Sequence, residues 1–113
     1  MRTEYETIDD LEEHGSPCIH ISAEEFLVSA HAAIRNRGAQ RDAPDGERSM
    51  ARAVAMFNEL TDRRVTVREG WVFMALLKLS RAQAGIFHAD DYVDASGYLG
   101  LAGEAASEEL PND

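Results

Sequence analysis

Apolar residues recur at helical spacing along most of the chain from residue 22 onward. In "AEEFLVSAHAAIRNRG" the positions Phe26, Leu27, Ala30, Ala33 and Ile34 follow an i, i+1, i+4, i+7, i+8 pattern, one face of a helix. Ser22 followed by Glu25 is the capping-box spacing that opens such a helix, since hydroxyl and carboxylate each satisfy a free amide of the first turn. Gly38 is its expected stop. A second helix is expected from near Asp45, with Met50, Ala53, Val54, Phe57 and Leu60 on one stripe. Thr66 and Glu69 repeat the capping box ahead of "VREGWVFMALLKLSRAQAG", with Gly85 as the stop. From Trp71 to Leu79 this third segment is apolar on nearly every side except at Lys78, the pattern of a central, buried helix. The last helix is expected to open near Asp90, with that carboxylate as N-cap, and to run through "YVDASGYLGLAGEAA".

Helices joined by short turns predict an all-α fold, a compact bundle of about four helices. The helical domain spans 22–106, after a short acidic leader over 1–21 and before an acidic tail over 107–113. Within the leader, "IDDLEEH" reads as a short capped turn and "PCIHIS" as a brief extended segment. Gly97, Gly100 and Gly103 recur every third residue of the last helix, where each costs up to about 1 kcal/mol against alanine. Close helix approach is the expected reason, and a ligand or second subunit on that face is the alternative.

Composition narrows the classes. The chain has 113 residues, 44% of them hydrophobic and 28% charged, which fits one globular domain with a core of its own. A single cysteine, Cys18, excludes an internal disulfide and suits a reducing compartment. No apolar run approaches the roughly 18 residues of a membrane helix, and the acidic start is unlike a signal peptide, so a cytoplasmic location and no membrane partner are expected.

The net charge of −10 is carried by the ends. Residues 1–14 hold six acids and one base, and residues 104–113 hold four acids and no base, whereas 15–103 hold eleven acids and ten bases. That balance argues against duplex nucleic acid, which requires a net positive face. Asp9, Asp10, Glu12 and Glu13 at one end and Glu108 and Glu109 at the other are candidates for docking a basic protein. Ordinary solvated surface is the plain alternative.

Candidate chemistry falls in three clusters. Arg35, Arg37, Arg41, Arg48 and Arg52 crowd the turn between the first two helices, and Arg41 and Arg48 are candidates to bind phosphate or carboxylate oxygens through their planar forks. The competing reading pairs them with Asp42, Asp45 and Glu47 as surface ion pairs. Lys78 within its apolar run must snorkel, lose its proton or find a carboxylate, and Arg81 shares its face. Asp91 and Asp94, three apart, project from one side of the last helix with Tyr98 a turn beyond. They are candidates either for a divalent ion such as magnesium or for ion pairs with Lys78 and Arg81. The histidines lack metal-ligand spacing, and no cofactor is indicated with certainty.

Residues 37–106 resemble a family of small, uncharacterised prophage-encoded all-α proteins, through "RD..DGERSM", "GW.FM.LLK..R" and "DDY.D…GY". That resemblance implies a phage origin and a small helical domain. The carboxylates and bases are also loosely similar to MazG-type nucleotide pyrophosphohydrolases, in which helical carboxylates hold magnesium. Only the D-x-x-D at 91–94 approaches their paired acidic motifs. The leading expectation is a non-catalytic phage accessory protein that binds a host or phage protein, with anti-defence action against an immune complex such as CRISPR as its most concrete form. A nucleotide-binding or magnesium-dependent nucleotide-hydrolysing bundle is the alternative, and a structural partner in phage replication or assembly is the third. A homo-oligomer is expected, through the glycine-rich or Trp71-bearing face.

Overall fold

The structure, a computed structural model, describes residues 20–41 and 49–109, with backbone alone for 38–41. Four helices account for them: α1 (Ala23–Arg41), α2 (Ser49–Thr61), α3 (Val67–Gln83) and α4 (Ala89–Glu108). The all-α bundle expected from the periodicity is therefore the fold. The leader to residue 19, the opening of the second helix near Asp45 and the end of the tail lie outside the described residues.

Both capping boxes form. Ser22 Oγ accepts from the Glu25 amide at 3.2 Å, and the Ser22 amide donates to the Glu25 carboxylate at 3.3 Å. At α3 the Glu69 amide donates to Thr66 Oγ1 at 3.1 Å and the Thr66 amide to Glu69 Oε1 at 2.9 Å. These bonds hold the Glu69 carboxyl below its ordinary range, the Thr66 backbone bond contributing most. Their stabilisation is present above the ordinary carboxylate pKa and is lost as pH falls through the lowered value. Between α2 and α3 the Asn58 amide clamps the turn, donating to the Val65 carbonyl and accepting from its amide, each at 2.9 Å.

Two helix ends depart from expectation. Helix α1 runs through Gly38 to Arg41, because one glycine costs too little to end a helix that has no better terminator. Helix α4 starts at Ala89 with His88 as its N-cap and no side-chain cap bond, so Asp90 is a first-turn acid facing the positive helix end. Gly85, at φ +105°, supplies the left-handed turn after α3.

Helix α4 is the spine. It packs along α3 and against α1, whereas α2 crosses only α3. Alanines supply much of the core: Ala30, Ala89 and Val93 seal the α1–α4 contact, and Trp71 meets Leu101, Ala102 and Ala105 between α3 and α4. This corrects the expectation that α3 is the buried central helix. Only Trp71 and Ala75 of α3 are buried, and Phe73, Leu76, Leu77 and Leu79 stay exposed because α2 reaches only the start of α3.

The glycines divide in an unexpected way. A methyl at Gly97 would meet Ile34 at 3.7 Å and the Ala30 carbonyl at 4.0 Å, ordinary contact, and one at Gly103 would meet nothing. The close approach sits at Gly70, where a methyl would lie 2.5 Å from Met50 Sδ and 3.0 Å from Val54 Cγ2. Gly103→Ala is therefore expected to raise Tm by roughly 4–8 °C, the shift from about 1 kcal/mol of helix propensity. Gly70→Ala should lower Tm instead, since Val54 must be displaced from α3. Thermal unfolding of the two variants followed by circular dichroism checks both signs.

Candidate functional site

The site is built where three helix ends converge on Trp71. The Thr66 cap starts α3 against the last turns of α4, and α2 lays Met50 beside Trp71. Met50 and Trp71 border clefts on both sides.

The first cleft, about 370 Å³, has an apolar floor of Met50, Val67, Trp71, Leu101 and Ala105. Its rim carries Glu104, Glu108 and Glu109. Glu104 and Glu108 stand one helical turn apart, so they share a face by spacing alone. Arg68 Nε donates to Glu109 Oε2 at 3.2 Å, an exposed pair that contributes little. Neither Glu104 nor Glu108 forms an ion pair with another described residue. Apolar floor and acidic rim together suit a long cationic side chain, its stem on Trp71 and Leu101 and its head between carboxylates.

The second cleft, about 430 Å³, is lined by Arg37, Ser49, Met50, Ala53, Trp71, Met74 and Tyr98. Behind it lies a small ionic lattice. Lys78 Nζ donates to Asp94 Oδ2 at 2.9 Å, and Arg37 approaches Asp94 Oδ1 at 3.8 Å. Arg37 also lies 5.4 Å over the Tyr98 ring, which stacks on Trp71 at 5.6 Å. Lys78 has thus found its carboxylate, and Asp94 links helices α1, α3 and α4.

The remaining candidates are spread more widely. Arg81 is exposed and Asp91 half-buried, and neither forms an ion pair with a described residue. Arg41 closes α1 with its side chain outside the described residues, as are Arg48, Asp9, Asp10, Glu12 and Glu13 altogether. Among the described residues no group of three or more His, Cys, Asp or Glu side chains could hold a metal ion. A magnesium ion wants about six oxygens, and Asp94 already faces Lys78 and Arg37, so these two aspartates do not make a fit for it. Glu104 and Arg37 were not singled out by sequence. The i, i+4 spacing of Glu104 and Glu108 was the available signal for the first. For Arg37 there was only its place in the arginine run.

A family model, described as a domain of unknown function (DUF6378), matches residues 25–106. The chain belongs to the DUF6378 family. The matched span contains all of α2 and α3, most of α1 and nearly all of α4, so Trp71 and the Lys78–Asp94 lattice lie within the DUF6378 domain. Glu104 falls inside it, and Glu108 and Glu109 just beyond its end. No curated protein and no solved structure matches the chain. No described helix is long and apolar enough to cross a membrane.

Proposed function

We propose that this DUF6378 chain is a phage accessory protein that acts by binding a basic protein surface through the cleft rimmed by Glu104, Glu108 and Glu109. The observation that carries the reading is the pairing of carboxylates with an apolar floor at Trp71 and Leu101. Acidic surface alone is common, but a cleft of this lining selects an arginine or lysine side chain over a small cation. The phage setting comes from the sequence resemblance. Its most concrete form is anti-defence, in which the chain occupies a nucleic-acid-binding surface of a host immune complex such as CRISPR.

The test is infection. A bacterium carrying an active CRISPR system is challenged with a targeted phage while it expresses the chain. Wild type is expected to raise plaque counts at least tenfold, and Glu104→Lys/Glu108→Lys to abolish the gain at equal protein level. Unchanged plaque counts with wild type would reject the anti-defence form. Full activity of the double variant would reject the cleft.

The second cleft favours one other reading, a nucleotide-binding bundle. Arg37 offers positive charge to a phosphate, beside the Tyr98–Trp71 stack. In a thermal-shift screen a nucleotide at about 100 times its Kd would add about 2.7 kcal/mol, with or without magnesium. A shift that Arg37→Ala removes would support this reading over the first.

A further inference from the structure

We infer that a second copy of this chain covers the outer faces of α2 and α3, the α2 stripe of each copy lying on the α3 stripe of the other about a two-fold axis. The sequence makes α3 apolar on nearly all sides, a pattern that belongs to a helix enclosed by neighbours. Among the described residues, the buried part of α3 is its Trp71 and Ala75 side. Opposite, Phe73, Leu76 and Leu77 fall at i, i+3, i+4 and are 68%, 56% and 37% exposed. Helix α2 is amphipathic but seats only its Met50 and Val54 edge at Gly70. Its Met56, Phe57 and Leu60 are 63%, 49% and 86% exposed.

Area and charge name the occupant. With about 150–200 Å² for a fully open large side chain, these six present roughly 500–700 Å² of apolar surface. A standard stable interface buries about 800 Å² per partner, so the stripes with their polar margins suffice for one. A monomer seldom leaves that much unpartnered. The exposed charges beside the stripes are mixed, Arg52, Arg63, Arg64 and Arg81 against Glu59 and Asp62. The acidity of the chain is concentrated elsewhere, at its ends. A like copy therefore meets charges of both signs on this face, and two-fold pairing satisfies both stripes at once. Trp71, one of the two candidates for an oligomer contact, is buried within its own chain at 6% exposure.

The inference is independent of the acidic cleft, and its test is mass in solution. Sedimentation equilibrium on the full chain is expected to give twice the 12.5 kDa chain mass at micromolar concentration. Leu60→Asp and Phe73→Asp should each return the mass to that of one chain with helical circular dichroism retained. Leu99→Asp, on the outer face of α4, should leave the dimer intact. Should an acidic variant fail to fold, the milder Leu60→Ala should raise the dissociation midpoint at least tenfold. A wild type of single-chain mass at every concentration, with these stripes covered by another protein or by the leader, would overturn the inference. So would a dimer that Leu99→Asp breaks and Leu60→Asp does not.

Discussion

Trp71→Ala is expected to be the most damaging single substitution, lowering Tm by at least about 12 °C. Trp71 is buried, stacks on Tyr98 and meets Leu101, Ala102 and Ala105 of α4, while Met50 of α2 packs against the same cluster. Truncating a buried tryptophan to alanine costs about 3–5 kcal/mol, transfer and cavity together. A small domain has only about 5–15 kcal/mol to lose. The site is also poor at closing over the gap, because two of its α4 neighbours, Ala102 and Ala105, offer only a methyl group to reach in. Denaturant unfolding measures the loss directly, and a cost under about 1 kcal/mol would mean that α3 and α4 are not held together at Trp71.

The second large effect separates the two members of the Lys78–Asp94 pair. Both side chains are largely buried, at 18% and 22% exposure. Asp94→Ala removes the only carboxylate that faces both Lys78 and Arg37 among the described residues, leaving two cations with no counter-charge. The expected cost is about 2–3 kcal/mol, somewhat less than for a fully buried pair. Lys78→Met should cost about 1 kcal/mol or less, since Asp94 keeps Arg37 and the methionine fills the apolar run. If the two substitutions cost the same, the lattice is not arranged around Asp94.

What could be read from sequence was what is local. Ser22–Glu25 and Thr66–Glu69 announce their caps within four residues, and both caps form. The Lys78–Asp94 pair was legible because consecutive antiparallel helices bring a lysine in an apolar run to the acids of the next helix. Coverage was not legible. Periodicity makes α3 apolar on nearly every side except at Lys78, but does not say which of those sides the other described helices cover. The three-residue repeat of Gly97, Gly100 and Gly103 points to close approach on that face. The close approach lies at Gly70, a lone glycine whose partner Met50 is twenty residues away. Residue type marks Asp90 as a cap, whereas the chain turns at His88, two residues earlier. The acidic cleft needed the end of α4 to be laid beside the start of α3, which no local spacing specifies.

The most direct test of the central claim is a titration of the isotope-labelled protein with a short arginine-rich peptide, followed by amide and indole shifts. The expected result is saturable, salt-sensitive shifts at Glu104, Ala105, Glu108 and the Trp71 indole, lost in the Glu104→Lys/Glu108→Lys variant. No saturable shift, or shifts confined to residues away from this cleft, would contradict it.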